Sequence, residues 1–385
     1  MLVDNKGVKN MIRFSKSSVT ALEEKYVVDA LYNGLLSGDG KYTAKVYEQF
    51  RERFGVERML LTTSGTAALE MASLLIELEP GDEVIVPSFT FPSTVNAFLL
   101  RGAKPVFCDI RKDTMNIDER LIESLITPKT RAIYCVDYAG VPCDYDVINA
   151  IADKHGLFVI EDSAQAVGST YKGRSCGTIT ELGCYSFHET KNYVMGEGGG
   201  IVINEEKYME RAEIIREKGT NRRNFLKGFV DKYTWHDIGS SFLPSDVLAA
   251  ILCAQMERFD EITSKRLNVW NTYHCVLEDA ERAGMLTRQV VPGYAKHNGH
   301  MYNIILPTPE IRTELIDKLR EKQIAAYFCY IPLHSAPKGL ELGWKPEQCP
   351  VTEDYGARVL RLPLHAEMTT DDAQMVAETL ISALK

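Results

Sequence analysis

The sequence predicts an α/β protein with a large domain of residues 1–264, which includes an N-terminal arm, and a smaller α/β domain of residues 265–385. Between residues 56 and 205, short β-branched or apolar runs alternate with helical patterns. This alternation is typical of a mainly parallel sheet covered by helices on both faces. A long helical pattern at 246–277 then leaves this region, and two further strand–helix units follow it.

Seven strands are predicted in the large domain, at residues 58–62, 83–87, 105–108, 131–137, 157–161, 183–187 and 200–203. Helices are predicted among them at 67–78, 93–100, 145–155 and 205–218. The smaller domain pairs a strand at 301–306 with a helix at 311–322, and a strand at 325–330 with a helix at 371–384. Ligands of such sheets bind beyond the carboxyl ends of the strands, so the residues after each strand are the candidates for chemistry.

Composition and charge exclude several classes of protein. The 385 residues are 45% hydrophobic and 25% charged, which is ordinary for a globular protein and excludes wholesale disorder and fibrous repeats. The formal net charge of −9 argues against binding to nucleic acid. No apolar run reaches the length of a membrane helix, and no secretory signal is visible. The nine cysteines include no C-x-x-C pair, so we expect reduced thiols, a cytoplasmic protein and no metal site.

A first candidate site follows the first predicted strand. In the segment TTSGTAAL, at residues 62–69, small hydroxyl and glycine residues make the turn into a helix. The first amides of a helix have no internal partners, and the helix dipole there favours an anion, so Gly65 and Thr66 are candidates to bind a phosphate. The alternative is an ordinary N-cap that serves only its own helix.

Two further segments carry ionisable side chains. Glu161 and Asp162 lie at the end of a strand, where an acid could hold a metal, a ribose or a protonated ring nitrogen; a solvated loop acid is the alternative. Lys191 lies just beyond another strand and before the glycine-rich segment GEGGG, at residues 196–200. Burial could lower its pKa and make it a nucleophilic amine, although most lysines are solvated surface charges.

The order of these segments predicts a pyridoxal 5'-phosphate (PLP) site. A phosphate needs the helix N-terminus, the pyridinium nitrogen needs a carboxylate, and the aldehyde needs an amine. Asp162 and Lys191 are 29 residues apart (191 − 162), in the required order after the candidate phosphate site. An aromatic side chain should cover the cofactor ring, and the segment PSFTFP at residues 87–92 supplies one beyond an adjacent strand.

Over nearly its whole length the chain resembles the DegT/StrS-type sugar-nucleotide aminotransferases of PLP fold type I. The matching stretches are SGTAAL (64–69), EDSAQA (161–166), SFHETKN (186–192) and GEGGG (196–200). The resemblance implies a PLP-dependent aminotransferase in which Lys191 carries the cofactor and Asp162 pairs with its ring nitrogen. It also implies that Gln165 lies beside the ring, that Phe91 stacks on it, and that Gly65, Thr66 and Ser186 hold the phosphate.

Two narrower stretches, FCYIPLHS (328–335) and DIGSSFLPS (237–245), resemble the branch that aminates dTDP-4-keto-6-deoxyglucose at C4. This resemblance implies L-glutamate as amino donor, dTDP-4-amino-4,6-dideoxygalactose as product, and a role in lipopolysaccharide or enterobacterial common antigen synthesis. It also implies a homodimer with shared active sites. In much of the family a partner-subunit asparagine from the second stretch reaches the phosphate; Ser241 takes its place here.

Two residues are predicted to contact the substrate. The densest basic loop, at residues 219–227, contains Arg222 and could face the nucleotide diphosphate, or could be a solvated loop. His334 follows a predicted strand and could line the sugar pocket, or could be a satisfied structural histidine.

Other functions remain as alternatives. The segment GRSCG, at residues 173–177, fits the pattern of a serine-hydrolase elbow, but the residues before it indicate a hairpin turn. The glycine-rich segment precedes a strand, whereas a dinucleotide-binding fingerprint follows one. The dehydratase branch of the family has histidine in place of the lysine, so Lys191 argues against it. An aminotransferase specific for C3 or forming a gluco product, and a non-catalytic PLP-binding regulator, stay open.

Overall fold

The structure, a computed structural model, describes residues 11–226 and 228–385. Its centre is a seven-stranded sheet. The strands of this sheet are β1 (Met59–Thr62), β2 (Glu83–Pro87), β3 (Lys104–Cys108), β4 (Thr130–Val136), β5 (Phe158–Asp162), β8 (Leu182–Ser186) and β9 (Gly199–Ile203). They lie side by side in the order β1-β9-β8-β5-β4-β2-β3. Only β9 runs antiparallel to its neighbours, which confirms the predicted mainly parallel sheet.

Helices cover both faces of this sheet, because alternate side chains of its buried strands point to opposite faces. The helices of this part are α1 (Ala21–Asn33), α2 (Lys41–Phe54), α3 (Gly65–Leu75), α4 (Pro92–Leu99), α5 (Glu119–Ile122), α6 (Tyr145–His155), α7 (Met209–Arg216), α8 (Arg222–Leu226) and α9 (Asp246–Glu257). Leu60 packs with α3, α4 and α7 on one face, whereas Leu61 packs with α2 and α9 on the other.

The C-terminal part has a core of its own, from Val269 to Leu380. Its strands are β10 (Thr287–Arg288), β12 (Tyr302–Ile305) and β13 (Val359–Leu362), and its helices are α10 (Phe259–Val276), α11 (Glu278–Arg282), α12 (Pro309–Glu321), α13 (Pro337–Glu341), α14 (Pro350–Arg358) and α15 (Thr370–Leu384). The proposed domain boundary after residue 264 falls inside α10. The N-terminal arm reaches this part, since Ile12 bridges Ile324.

A third small sheet joins the two parts of the chain. It consists of β6 (Thr170–Tyr171), β7 (Arg174–Ser175) and β11 (Ala295–Lys296), in the order β11-β6-β7. Strands β6 and β7 form the hairpin predicted around residue 172, with Lys172 and Gly173 at positive φ. Ser175 therefore lies in a hairpin strand and not on a strand-to-helix elbow, which excludes the serine-hydrolase interpretation.

Two sequence predictions about elements were wrong, and one strand was missed. The helix expected at 246–277 is two helices, α9 and α10, which meet at Arg258, where φ −98° and ψ 13° leave the helical range. Residues 325–330 form no regular strand and contribute only a bridge from Tyr327 to Arg361. The strand beside β12 is instead β13, which follows α14 directly and is too short to show a period in the sequence.

In the part of the chain that the structure describes, no helix is both long and apolar enough to cross a membrane. Nor do three or more His, Cys, Asp or Glu side chains of residues 11–226 and 228–385 converge as a metal ion would require.

Candidate active site

The carboxyl ends of five parallel strands, β1, β2, β4, β5 and β8, meet at one edge of the central sheet. Gly199, the first residue of the antiparallel β9, pairs there with Thr62 on one side and with Ser186 on the other. Val136 pairs with Asp162 at the same level of the sheet. The segments that follow these strands therefore form one cleft, and they contain most of the predicted site residues.

Asp162 is the last residue of β5, and its carboxylate is buried. Oδ2 accepts a hydrogen bond from the hydroxyl of Thr94 on α4 at 2.7 Å, and Oδ1 accepts one from the amide of Ala164 at 3.3 Å. Burial raises the pKa of Asp162, whereas the Thr94 hydroxyl and the charge of Lys191 lower it, with a net rise. The carboxylate is thus held rigidly and is electrostatically coupled to Lys191.

Glu161, the acid next to Asp162, stabilises the fold. Glu161 is fully buried and accepts hydrogen bonds from the backbone amides of Gly177, Ile179 and Thr180 at 2.6–2.7 Å. These bonds fix the loop between β7 and β8 from beneath the cleft. Of the two carboxylates that the sequence placed at the end of this strand, only Asp162 belongs to the site.

Lys191 lies in the turn after β8, where its amide donates to the carbonyl of His188 at 2.9 Å. Burial lowers the pKa of Lys191 to about 8; Asp162 opposes this shift, and the charge of Arg361 adds to it. A lysine with this pKa is largely an ammonium at neutral pH but has an appreciable neutral fraction, which a surface lysine lacks. The environment therefore increases the fraction of Lys191 that is present as the neutral, nucleophilic amine.

The turn into α3 forms the candidate phosphate site. Ser64 caps the helix, with its Oγ accepting from the amide of Ala67 at 3.0 Å, so the amides of Gly65 and Thr66 in the first turn remain for another acceptor. A Cβ on Gly65 would lie 2.8 Å from the Cβ of Ser186, which shows how closely the helix start approaches the end of β8. The structure thus brings Gly65, Thr66 and Ser186 together.

A polar and aromatic wall closes the cleft on the side of the C-terminal part. Gln165 is buried, accepting from the amide of Ala139 at 2.7 Å and donating to the hydroxyl of Tyr330 at 2.9 Å. Phe91 precedes α4 and is 57% exposed, and its ring centroid is 6.2 Å from that of Tyr330. An exposed aromatic face at this edge is available for a planar ligand to stack on.

These residues fit PLP. The first turn of α3, with close backbone approach at Gly65, offers donors to a phosphate. A buried carboxylate that is already oriented by Thr94 can neutralise a ring nitrogen, and Lys191 supplies an amine of lowered pKa for the aldehyde. The roles of Phe91, Gln165 and Ser186 toward the cofactor stay predictions, since their positions agree with those roles without testing them.

Sequence reasoning missed three side chains of the cleft. Thr94 holds Asp162, Tyr330 holds Gln165, and Arg361 adds positive charge near Lys191. Tyr330 stands in the stretch FCYIPLHS, in which only His334 was predicted to contact the substrate. Thr94 lies in the first turn of α4, three residues after Phe91, a position that a helical period could have indicated. Arg361 had no signal, because its strand was not predicted.

His334 does not line the cleft, contrary to the sequence prediction. Its imidazole is fully buried: Nδ1 shares a hydrogen bond of 2.6 Å with the hydroxyl of Ser88, and Nε2 lies 3.1 Å from the carbonyl of Pro346. Nε2 also lies 3.3 Å from a carboxylate oxygen of Glu353. Both ring nitrogens have protein partners, so this is a structural histidine that joins the loop after β2 to the C-terminal part.

The basic loop is largely neutralised by acids of the same chain. Arg222 lies 3.1 Å from Glu217, which also contacts Lys218 at 3.3 Å, and Arg223 lies 2.8 Å from Glu213. Lys227, the last residue of the predicted loop, lies outside the described residues. An interaction of Arg222 with a diphosphate would have to compete with Glu217, and it stays a prediction.

Ser241 is exposed, and its backbone forms an isolated antiparallel β-bridge with Glu217. The carbonyl of its neighbour Phe242 accepts a hydrogen bond from the amide of Thr63 at 2.9 Å. The segment around Ser241 therefore lies at the outer edge of the turn into α3. Its predicted contact with a phosphate across a dimer interface is not tested by one chain.

Comparison with known proteins identifies the family. Residues 18–381 match the family described as DegT/DnrJ/EryC1/StrS aminotransferases. The chain belongs to this family. It is 32% identical over 364 residues to GDP-perosamine synthase of Escherichia coli O157:H7, covering 94% of this chain and 96% of that protein. It is also 32% identical to GDP-perosamine synthase of Caulobacter vibrioides, over 94% of this chain and 95% of that one.

A solved structure agrees with this assignment. The putative sugar aminotransferase Spr1654 from Streptococcus pneumoniae, in its PMP form, superposes with a TM-score of 0.91 at 26% identity, over 97% of this chain and 99% of that one. The chain is accordingly a PLP-dependent sugar aminotransferase with the fold that its sequence predicted. The narrower assignment to the dTDP-aminogalactose branch is not confirmed, since the two curated relatives named above are GDP-perosamine synthases.

The lowered pKa of Lys191 predicts a pH profile for cofactor attachment. PLP attaches to a neutral amine, so the attachment rate of the apo enzyme should rise with pH up to about 8 and level off above it. A lysine with the ordinary pKa would continue to gain reactivity to about pH 10. Stopped-flow absorbance between about pH 6 and 10 measures the rate. A rate that still climbs tenfold per unit above about pH 9 would show that the amine is solvated in solution.

Proposed function

We propose that this enzyme transfers the amino group of L-glutamate to C4 of dTDP-4-keto-6-deoxyglucose and forms dTDP-4-amino-4,6-dideoxygalactose. The observation that carries the aminotransferase chemistry is the coupling of buried Asp162 to Lys191 beside the turn into α3. The likeness of residues 237–245 and 328–335 to the C4 branch supports the sugar. Two GDP-perosamine synthases among the relatives support a nucleotide-linked sugar and favour GDP as the second candidate nucleotide.

Two residues of the chain have separate roles in this reaction: Asp162 supplies a charge, and Lys191 transfers a proton. When bound, PLP supplies an electron sink for the amino acid's Cα–H bond. Asp162 is placed to keep the ring nitrogen of such a sink protonated, and Thr94 stops the carboxylate from rotating away. The free amine of Lys191 takes the Cα proton of the donor as a general base. The resulting ammonium then gives this proton, as a general acid, to the cofactor carbon that carries the nitrogen.

The lowered pKa suits Lys191 to both steps. A general acid–base group works best when its pKa lies near the working pH, because both protonation states are then populated. Burial in the cleft brings the Lys191 pKa to about 8, within reach of neutral pH. The same proton transfers, carried out in the reverse order, deliver the amino group to the keto sugar.

Product analysis tests the proposed substrate. The purified enzyme is incubated with L-glutamate and either dTDP-4-keto-6-deoxyglucose or a GDP-linked 4-keto-6-deoxyhexose, and NMR assigns the carbon that carries nitrogen and its configuration. We expect amination of the dTDP sugar at C4 with galacto configuration. Turnover of the GDP sugar alone would show that the proposed nucleotide is wrong. Nitrogen at C3 would contradict the proposed regiochemistry, and a gluco product would contradict the proposed stereochemistry.

We propose further that the enzyme is a homodimer whose subunits share their active sites. Two groups of large apolar side chains are exposed on the isolated chain, near the end of α1 and in the segment before Ser241: Leu31, Tyr32, Leu35 and Leu36, and Phe229, Tyr233, Trp235 and Ile238. Clustered exposed apolar surface of this kind marks protein interfaces. Covering the second group with a partner would bring that partner close to the turn into α3.

Sedimentation velocity tests this assembly. The wild-type protein should sediment as a dimer at micromolar concentration, and Trp235→Asp should shift it toward monomer because a charge would be buried at the interface. Trp235 is 79% exposed in one chain, so the same substitution should leave the fold of the subunit intact. A wild-type monomer at these concentrations would contradict the proposal.

A further inference from the structure

Arg361 is a partly buried cation in the wall of the cleft. It lies on β13, where its backbone pairs with Tyr327, and its side chain is half-buried. Nε donates to the carbonyl of Phe328 at 3.2 Å, and the guanidinium lies 4.8 Å from the ring centroid of Phe14 in the N-terminal arm. These contacts use one face and one edge of the guanidinium and fix its position.

The remaining donors of Arg361 have no acidic partner in the part of the chain that the structure describes. The groups that raise the pKa of Arg361 against the effect of burial are the Cys329 thiol and the Tyr138 and Tyr330 hydroxyls, and no carboxylate is among them. Two other buried arginines have terminal nitrogens engaged within the protein: Arg216 Nη2 pairs with Asp39, and Arg266 Nη2 donates to the carbonyl of His300. A guanidinium has five donors, so the terminal nitrogens of Arg361 are available to an outside acceptor.

The position of Arg361 selects the kind of acceptor. Its partner on the neighbouring strand β12 is Asn303, which lies three residues after His300, and the imidazole of His300 shares a hydrogen bond of 2.9 Å with the side chain of Asn192, the residue after Lys191. The charge of Arg361 accordingly contributes to the lowered pKa of both Lys191 and His300. The hydroxyl of its neighbour Tyr330 accepts a hydrogen bond from Gln165 in the same cleft. An anion bound here would therefore lie close to Lys191 Nζ.

Two anions enter this enzyme under the proposed function, on which this inference rests. In the amino donor, a carboxylate is attached directly to the carbon whose proton Lys191 moves. In the keto sugar, the diphosphate is attached at C1, across the ring from the reacting C4. A cation beside Lys191 consequently matches the donor's carboxylate and not the diphosphate. We infer that Arg361 binds the α-carboxylate of the amino donor and so orients its Cα–H bond toward Lys191.

Binding of an unreactive donor tests this inference directly. α-Methyl-L-glutamate retains both carboxylates but has no Cα proton, so its titration against the PLP-loaded enzyme, followed by absorbance, gives a Kd without turnover. In Arg361→Met we expect the Kd to rise by at least about 30-fold, because a charged hydrogen-bonded pair is lost from a partly desolvated site. Arg361→Lys should lose less, since it keeps the charge but not the bidentate geometry.

A matched control and a second arm separate this role from others. Arg320→Met removes the same charge from an exposed position on α12, where the Arg320 side chain pairs with Asp317, and its Kd should stay within about twofold of wild type. In the second arm, the amino-loaded enzyme is mixed with the keto sugar alone. Arg361→Met should react there at the wild-type rate, because no donor carboxylate takes part.

Each result decides the inference. An unchanged Kd in a variant that still carries its cofactor on Lys191 would overturn it. A loss confined to the keto-sugar arm would assign Arg361 to the diphosphate and overturn it equally. Failure of the wild type to accept glutamate would refute the proposed donor only, since every amino acid has an α-carboxylate. The same comparison would then use the donor found among alanine, aspartate and glutamine.

Discussion

Lys191→Ala should leave a folded protein that neither attaches PLP covalently nor turns over substrate. The substitution removes the amine proposed to serve both the aldehyde and proton transfer, so we expect kcat to fall by about 10⁴-fold or more. Borohydride reduction followed by mass spectrometry measures covalent attachment, and glutamate-dependent product formation measures turnover.

Lys172→Ala provides the control for this variant. Lys172 is exposed and pairs with Asp146 in the hairpin after β6, so its loss should change neither attachment nor turnover. Recovery of a borohydride-trapped cofactor from the Lys191→Ala protein would show that another amine carries PLP, and the proposed roles of Lys191 would be withdrawn.

Asp162→Asn should separate activity from stability. The amide keeps the shape and can still accept from Thr94, but it cannot supply the charge that holds a ring nitrogen protonated, so we expect kcat to fall by about 10³-fold or more. Because burial raises the pKa of Asp162 above that of the unfolded chain, its ionised form destabilises the apo protein at neutral pH. The Tm of apo Asp162→Asn should therefore equal or exceed the wild-type value.

The adjacent acid should behave in the opposite way. Burial and the charge of Asp137 raise the pKa of Glu161 to about 8, but three backbone amides donate to its oxygens. In Glu161→Gln the side-chain NH2 group would face one of these N–H donors, so we expect the free energy of unfolding to fall by about 2 kcal/mol. Urea unfolding measures this change in the apo protein. A large loss of stability in Asp162→Asn, matching that of Glu161→Gln, would show that Asp162 serves the fold and not the cofactor.

The residues that sequence reasoning found share one property. Gly65, Asp162, Ser186 and Lys191 each stand at the end of a strand or within the turn that follows it, and their roles depend on that local position. Parallel strands bring their carboxyl ends to one edge, so a correct strand prediction already placed these residues together. The strand limits were accurate to one residue at most ends for the same reason: buried central strands form clear apolar runs.

His334 and Arg361 show where this reasoning stops. Both lie in the C-terminal part, outside the regular alternation, and their surroundings come from segments distant in the chain. His334 meets Ser88, 246 residues away, and this contact makes it structural. Arg361 meets Phe14 in the N-terminal arm and acts on Lys191, and neither relation leaves a pattern in the sequence.

The sequence by itself determined the fold class and placed a pair of acids and a lysine just beyond two neighbouring strands, because periodicity and turn chemistry are local properties of the chain. Only the tertiary structure decided which acid of the pair faces the cleft, which histidine is satisfied and which cleft arginine has no acidic partner among the described residues. Burial and hydrogen-bond saturation depend on what packs around a group in three dimensions, and they set the pKa and the availability of each side chain.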